Sequence, residues 1–399
     1  YPMNRFLGAL LSVAVSSCVV LPTLHLALRP SRASYMRTDD APPVMARELA
    51  AAQLAAWNDG QRDVNRTVNP EWDLGHHTFF ALGLANLALD AKPEEREMLR
   101  VEVDAVIAEV LARSPRHFHL AYFDEGAFNG RRGRSLFLDG EVLLMVAARL
   151  AVWPDRGRDA QLVDLARGVV EQMSEAPELM AESYPNECWM FDNTLALAAL
   201  AVTAHVLGRP VEGAETLTRR WLENAPRLTD PHTGLLVAST TWKGGTLDGP
   251  EGSSAFAVAH FLELVDPTLA RDQYERAKRQ LVARPLGFAY AHEWPDAAQW
   301  GHDRLPPRAE VADVDSGPVI PLVHAGAGAS GMAVLGAAAF HDEALLAELV
   351  TSLELTAFPE RTNGKLRFRA SNGLGDAVLL YATAQGPLWQ RVRAGKEKS

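Results

Sequence analysis

Residues 137–152 read FLDGEVLLMVAARLAV, in which a short acidic segment with a glycine leads directly into a helix that is apolar around most of its circumference. Residues 159–173 read DAQLVDLARGVVEQM, and there the charged residues fall on one face of a shorter helix. A helix that is apolar on nearly all sides must be buried, whereas an amphipathic helix covers it from the solvent side. The two stretches therefore predict an inner helix and an outer helix packed as a hairpin.

The same alternation of apolar and amphipathic helices recurs along the chain. Apolar residues are spaced at helical intervals, and the strict alternation typical of strands is scarce. The sequence therefore predicts an all-α protein. Apolar helices are expected at residues 78–89, 142–152, 194–207, 256–264, 319–339 and 377–384, and amphipathic helices at 94–113, 159–173, 211–223, 268–282 and 343–355.

A short polar segment, usually with a glycine, precedes each apolar helix. Such segments recur at intervals of about sixty residues, as expected for a repeat of helix hairpins. Six hairpins with parallel inner helices can close into an (α/α)6 toroid, with all the polar segments at one mouth of the ring. We expect this toroid over residues 35–399, after a separate N-terminal segment of residues 1–34. The polar segments are residues 71–77, 139–141, 191–193, 249–253, 313–318 and 372–376.

The N-terminal segment contains an almost uncharged apolar run over residues 6–28. About 20 apolar residues are enough for a helix to cross a bilayer, so we expect a membrane anchor or an uncleaved signal-like helix. The catalytic domain would then lie outside the cytoplasm, in a bacterial cell envelope. Two alternatives stay open: lipidation of Cys18, and a buried N-terminal helix containing Pro22 and His25. Arginines flank both ends of the run, so they do not determine its orientation.

Composition and motifs exclude several classes of function. Lysine and arginine total 39 against 50 acidic residues, giving a net charge of −11, and no basic run could follow a nucleic-acid backbone. The two cysteines, Cys18 and Cys188, cannot form a disulfide framework or a cysteine zinc site. The adjacent histidines His76 and His77 would point about 100° apart on a helix, so they do not easily chelate together. We expect no metal and no cofactor.

The acidic residues gathered at the mouth are more than helix capping needs, although capping is an alternative for each single one. Two carboxyl groups in one apolar cavity cannot both ionise cheaply, so the pKa of one rises and that group can donate a proton near neutral pH. We expect an acid–base set of Asp315, Asp313, Asp192 and Glu141. The residues expected to shape and bind the substrate are His76, His77, Phe137, Asp139, Glu182, Tyr184, Trp189 and Ser253.

Several stretches resemble the bacterial linalool dehydratase/isomerase family. The likeness lies in residues 69–89, 137–152, 184–200, 253–281 and 313–317. It implies a cofactor-free (α/α)6 enzyme that dehydrates a tertiary allylic alcohol and isomerises it to a primary one. In this alignment the family's two active-site cysteines fall on Ser183 and Asp192, its histidine on Glu141 and a tyrosine on Ser253. The site is thus more acidic than that of the family and lacks its thiols.

Three functions are compatible with this sequence. The first is a membrane-anchored lyase or isomerase that acts on a terpenoid or lipid-like alcohol by acid–base dehydration, isomerisation or cyclisation. The second is a glycoside hydrolase or sugar epimerase, which a polar mouth with tryptophans would suit and an apolar cavity floor would oppose. The third is a non-catalytic binding toroid whose acids are solvated helix caps. We also expect that the ring can form a homo-oligomer.

Overall fold

The computed structural model describes residues 2–38, 41–60, 69–113, 118, 125–295, 316–317, 319–320 and 323–396. These residues are mostly helical, as predicted. The helices are α1 (Pro2–Leu28), α2 (Arg32–Tyr35), α3 (Val44–Asn58), α4 (Pro70–Asp90), α5 (Pro93–Ala112), α6 (Leu136–Val152), α7 (Asp159–Glu175), α8 (Met190–Leu207), α9 (Ala214–Asn224), α10 (Gly252–Leu262), α11 (Pro267–Leu281), α12 (Ala327–Ala339), α13 (Glu343–Thr356), α14 (Gly373–Ala384) and α15 (Pro387–Lys396).

Six inner helices form a closed ring in the order α4, α6, α8, α10, α12 and α14, and α14 packs back against α4. They are the apolar helices of the sequence pattern, and every residue of α6 is buried. The contacts between α4 and α14 show the relative direction of these two neighbouring inner helices. A Cβ on Gly75 would meet Leu374, and a Cβ on Gly83 would meet Leu380. Because both contacts advance together along α4 and α14, these two helices are parallel.

The amphipathic helices cover the ring from outside. α5 packs on α4 and α6, α7 on α6 and α8, α11 on α10, and α13 on α12. The sixth position is filled from the N-terminal side, because α3 packs on both α14 and α4. The paired arrangement expected from the sequence is therefore present, and its closure joins the two ends of the repeat.

Helix α15 lies across the end of the ring where the inner helices finish. Its Leu388 main-chain N–H donates to Asn86 Oδ1 of α4 at 3.1 Å, and Trp389 Nε1 donates to the His260 carbonyl of α10 at 3.3 Å. Trp389 also stacks on the His260 ring with 4.9 Å between centroids. The His260 ring in turn bonds Tyr381 of α14, with 2.7 Å between Nε2 and the hydroxyl oxygen. These contacts close that end.

The described residues include nine short strands, which lie in the connections between the helices and pair antiparallel. They correct one prediction, because the expected helix at 319–339 begins only at Ala327 and the residues before it form a hairpin of β6 and β7. The strands are β1 (Cys188–Trp189), β2 (Ser239–Thr240), β3 (Thr246–Asp248), β4 (Val282–Ala283), β5 (Tyr290–Ala291), β6 (Val319–Ile320), β7 (Ala325–Gly326), β8 (Pro359–Thr362) and β9 (Lys365–Phe368).

Two described helices are long and apolar enough to cross a bilayer, which by itself is weak evidence for a membrane protein. One of them, Met190–Leu207, is the inner helix α8. The other window, Leu11–Leu28 in α1, has none of its residues buried in the structure, so α1 is not a buried core helix. Its end is held at the outer wall, where the His25 ring meets the Phe288 ring edge-on at 5.9 Å.

Candidate active site at the mouth of the ring

The N-terminal ends of α4, α6 and α8 bring two of the expected carboxyl groups together. Glu141 of α6 is 2% exposed, and Thr78 of α4 donates its hydroxyl hydrogen to Glu141 Oε2 at 2.7 Å. Asp192 of α8 is 6% exposed and accepts a hydrogen bond from the Ser183 hydroxyl. The charge of Asp192 acts on Glu141, so the two groups form one buried acidic cluster.

Burial controls the protonation of this cluster. It raises the pKa of Glu141 to about 8; the Thr78 hydrogen bond opposes this rise and the charge of Asp192 adds to it. It raises the pKa of Asp192 to about 7, against the Ser183 hydrogen bond and with a contribution from the charge of Glu71. Both groups therefore titrate near neutral pH, where a carboxyl group can donate or accept a proton.

Tyr184 and Glu71 extend the cluster towards solvent. The Tyr184 hydroxyl is hydrogen-bonded to Glu71, and its pKa lies well above the usual value because of burial and the neighbouring charges of Glu71 and Asp192. The Tyr184 ring stacks on Phe137, with 6.2 Å between centroids. A neutral phenol is thus held beside the two carboxyl groups. Sequence reasoning placed Glu71 in a polar segment but did not choose it as a site residue.

A tight turn fixes Ser183 and Tyr184 against the start of α6. The main-chain N–H groups of Ser183 and Tyr184 both donate to the Glu187 carbonyl, at 2.8 and 3.2 Å. The Ser135 hydroxyl donates to the Ser183 carbonyl at 2.7 Å. On the other side, Asn193 accepts from the Ala181 main-chain N–H at 2.8 Å. The turn is therefore tied to two inner helices, which explains the dense polar sequence before α8.

Glu182, Asp139 and Trp189 have partners that hold structure. Glu182 accepts bonds from the main-chain N–H groups of Asn129, Gly130 and Asn186 and from the Asn129 side chain, so both its oxygens are occupied. Asp139 accepts a hydrogen bond from the Gln172 amide of the outer helix α7 and pairs with Arg134, which lies just before α6. Trp189 pairs with Ser239 in the β1–β2 ladder. Glu182 and Asp139 thus make contacts other than the substrate contacts expected from the sequence.

The two adjacent histidines point to different surroundings, as their spacing predicts. His76 Nε2 lies 2.8 Å from Gln53 Oε1, and because the Gln53 amide donates to the Gly373 carbonyl at 3.0 Å, His76 is the donor in this pair. Burial lowers the pKa of His76 to about 3, so the ring is neutral and its Nδ1 carries a free lone pair. His77 packs outside the ring against Trp57 at 5.2 Å. Neither histidine joins a group of metal ligands among the described residues.

Two further buried carboxyl groups lie at the same mouth. Ser253, at the start of α10, donates its hydroxyl to Glu293. Asp376, in the first turn of α14, has a pKa raised to about 7 by burial, against a hydrogen bond from the Phe368 main-chain N–H. Glu293 was missed by sequence reasoning, because it follows a strand and precedes no inner helix. Asp313 and Asp315, two of the expected catalytic residues, lie outside the described residues.

Cys188 is buried in β1 beneath this site. Its pKa is raised far above the ordinary thiol value by burial first and by the charge of Glu182 second. A protonated, buried thiol is a poor nucleophile. Cys188 is therefore expected to be an inert core residue.

Comparison with known proteins leaves this chain without a family. No protein-family model and no curated protein matches it. Among solved structures it is similar to one described as a possible member of the GH105 family from Salmonella enterica subsp. enterica serovar Paratyphi A. That likeness has 15% sequence identity, covers 94% of each chain and has a TM-score of 0.44. A likeness of this degree transfers neither an activity nor a site residue to this chain.

Proposed function

We propose that this protein is an acid–base enzyme that cleaves or rearranges a carbon–oxygen bond, with Glu141 as proton donor and Asp192 as its partner base. The proposal depends on one observation: two buried, interacting carboxyl groups whose pKa values are raised to about 8 and about 7. A ring of purely structural acids would not need such a pair, because helix caps work as ionised groups in water.

The difference between the two groups assigns their roles. Near pH 7 Glu141 keeps its proton, so it can protonate the oxygen that leaves. Asp192 is partly ionised at the same pH and can accept a proton from water or from a carbon next to the bond. The coupled pair is expected to titrate in two macroscopic steps rather than as independent groups. Thr78 and Ser183 orient the two carboxyl groups through their hydroxyl hydrogens.

The surroundings of the pair favour a hydroxylated, sugar-like substrate. Side chains near the two carboxyl groups include the hydroxyls of Thr78, Ser183 and Tyr184 and the carboxylate of Glu71. In glycoside hydrolysis the Glu141 proton would pass to the glycosidic oxygen as its bond to carbon breaks. Asp192 would take a proton from the water that attacks that carbon. Paired carboxyl groups with these two roles are the common solution for this reaction.

Dehydration or isomerisation of a terpenoid or lipid-like alcohol is the second candidate. It is supported by the position of Ser183, Asp192 and Glu141, which lie together as the resemblance to the linalool dehydratase/isomerase family implies. In this reaction Glu141 would protonate the departing hydroxyl and Asp192 would remove a proton from the neighbouring carbon. Apart from the substrate, the chemistry asked of the two carboxyl groups is the same.

One experiment tests the shared chemistry and separates the two substrates. Detergent-solubilised wild-type protein, Glu141→Gln and Asp192→Asn are incubated with a panel of glycans and with a panel of terpenoid alcohols, and products are followed by mass spectrometry. Sugar release that falls by about 10²–10⁴-fold in both variants supports the first candidate. Loss of water or a mass-neutral change of an alcohol supports the second. Turnover unaffected by both substitutions contradicts the proposal, and no turnover of either panel favours a binding toroid.

We also propose that α1 anchors the ring to a membrane, with the ring outside the cytoplasm. The exposed Leu11, Val13, Val19 and Leu26 support this, because a bilayer would cover them. Fractionation of cells that express the full chain, followed by protease treatment of intact spheroplasts, tests it. Recovery in the soluble fraction would contradict the anchor, and protection of the ring from protease would contradict its orientation. Light scattering of the detergent-solubilised chain tests the expected homo-oligomer.

A further inference from the structure

An open cavity lies on the outer wall of the ring, where the chain leaves α1 and meets the start of α13. Its volume is about 360 Å³, within the range of about 300–1,000 Å³ that small-ligand pockets occupy. No residue of the acidic cluster lines it, so it is separate from the candidate active site. The lining residues are Arg29, Pro30, Arg32, Tyr35, Glu343 and Ala344.

The charged side chains of this cavity carry a net positive charge, in a chain whose net charge is −11. Arg29 is exposed and forms no ion pair with the described part of the chain. Arg32 pairs with Glu343, and these side chains are 59% and 53% exposed. Water screens an ion pair as exposed as this one, so it contributes little. Both arginines are therefore available to an anion, and Glu343 is the group that competes with it.

Tyr35 adds a hydrogen-bond donor to the two cations. Its side chain lines the cavity, and the residue is only 5% exposed. Its hydroxyl donates to no described residue. Arginine guanidinium groups bind phosphate through paired N–H donors, and a phenol donates one more bond to such an oxygen. The donor set therefore fits a phosphate ester.

The apolar helix next to the cavity indicates which phosphate ester this is. Val19 and Leu26 of α1 are 64% and 74% exposed, and Arg29 directly follows the last residue of that helix. The apolar run over residues 6–28 would be about 35 Å long as a helix, enough for a hydrocarbon core of about 30 Å. If a bilayer covers this run, the cavity lies at the level of its headgroups. Anionic headgroups attract arginines near the membrane surface.

We propose that the cavity binds the phosphate headgroup of an anionic phospholipid, with Arg29 and Arg32 as the cations and Tyr35 as the neutral donor. The acyl chains of this lipid would lie against α1. The inference rests on the proposed anchoring by α1 and is independent of the reaction at the mouth. A lipid held here would bind both the anchor and the outer helix α13, which would fix the ring relative to the membrane.

The test measures lipid binding to the full chain in detergent micelles. A ligand that binds the folded state raises the unfolding temperature with concentration, from which the Kd follows. The probes are phosphatidylglycerol, phosphatidylcholine with the same acyl chains, and glycerol 3-phosphate as a phosphate ester without chains. The wild type is compared with Arg29→Gln, Tyr35→Phe and Glu343→Gln. The control is Arg209→Gln, which removes an exposed arginine between α8 and α9.

We expect phosphatidylglycerol to stabilise the wild type more than phosphatidylcholine does. Its Kd should rise about fivefold in Arg29→Gln, the effect of one arginine near an anionic surface, and should also rise in Tyr35→Phe. It should fall in Glu343→Gln, because the competing carboxylate is gone, and should not change in Arg209→Gln. An unchanged Kd in Arg29→Gln, an equal rise in Arg209→Gln, or equal binding of the two lipids would overturn the site. Equal stabilisation by glycerol 3-phosphate would overturn the assignment to a lipid.

Flotation with vesicles of phosphatidylcholine alone tests the anchor separately. The wild type and Arg29→Gln should both float with these neutral vesicles, because the apolar helix is unchanged. Failure of both to float would reject the anchor. A lipid Kd in micelles that still depends on Arg29 would then retain the cavity as a headgroup site, so the two failures are distinguishable.

Discussion

The hydroxyl of Thr78 donates to Glu141 Oε2 at 2.7 Å, so one inner helix controls the protonation of a carboxyl group on the next. Replacing Thr78 with Val removes a donor that stabilises the ionised form. A hydrogen bond to a charged group contributes roughly 1.5–3 kcal/mol, which predicts a rise of about one unit or more in the pKa of Glu141. Because the proton donor must be protonated, the basic limb of the kcat/KM profile should move to higher pH.

Thr203 offers a matched control for this substitution. It lies buried on the inner helix α8, and its hydroxyl oxygen has no hydrogen-bond partner among the described residues. Thr203→Val makes the same chemical change without touching the acidic cluster, so the pH profile should stay as in the wild type. A Thr78→Val profile that coincides with the wild-type profile would reject Glu141 as the acid.

The buried acids make stability depend on pH. The pKa of Glu141 is about 8 in the folded protein against an ordinary value of 4.5, so between these values the folded state keeps a proton that the unfolded state has released. The free energy of unfolding therefore falls as the pH rises through this window, by about 1.4 kcal/mol per unit for one such group. Asp192 acts in the same direction, from 3.8 to about 7. Urea unfolding at pH 5 and pH 8 should show a smaller fall for Glu141→Gln than for the wild type, and equal falls would refute this assignment.

The joint between α1 and the ring depends on a glycine. Gly287 has a φ of +87°, and a Cβ there would lie 2.6 Å from the His25 ring. Gly287→Ala should push His25 away and free α1, which we expect to raise trypsin cleavage at the exposed Arg32 roughly tenfold, about 1.4 kcal/mol of local opening. Gly60→Ala is the control, because Gly60 has a φ of +79° with nothing near its missing Cβ. In the double variant Gly287→Ala/His25→Ala the clash with the His25 ring is gone and only the backbone strain at residue 287 remains. Equal cleavage of Gly60→Ala and Gly287→Ala would show that Gly287 does not control the contact between α1 and the ring.

The closed end of the ring depends on Trp389, which is 1% exposed and stacks on His260. Trp389→Ala should lower the free energy of unfolding by about 3–5 kcal/mol, the usual range for truncating a fully buried aromatic side chain. Trp242 is only partly buried, so Trp242→Ala should have a smaller effect. Urea unfolding measures both changes, and hydrogen exchange in α15 should rise only in the Trp389 variant. Equal losses in the two variants would show that Trp389 does not hold this end.

The inner helices could be predicted because a helix apolar on all sides has one stable place, inside the protein. What the sequence could not give was the direction of individual acids at their starts. Asp139 and Glu141 are two residues apart, about 200° around a helix, so one faces an outer helix and the other faces neighbouring inner helices. Capping also could not be assigned in advance: at three of the inner helices the caps are Asn69, Ser135 and Asn372, and the acidic residues of those helices lie inside the first turns.

Contacts between residues far apart in the chain leave no periodic pattern in the sequence, so they could not be predicted from it. Glu293 meets Ser253, 40 residues earlier in the chain, through a connection whose residues follow no helical repeat. Likewise α3 closes the ring against α14 from the opposite end of the chain, which only the folded structure reveals. The hairpin of β6 and β7 was hidden by the small apolar residues that continue from it into α12. Short apolar stretches of this kind suit a strand and a helix equally well.

Because α15 lies across the end of the ring where the inner helices finish, a substrate of the proposed enzyme would enter from the acidic mouth. A polymer whose terminus enters there would not thread through the ring and slide onward after each cut. Product would leave by the route along which the next substrate arrives, so accumulated product should compete directly with substrate.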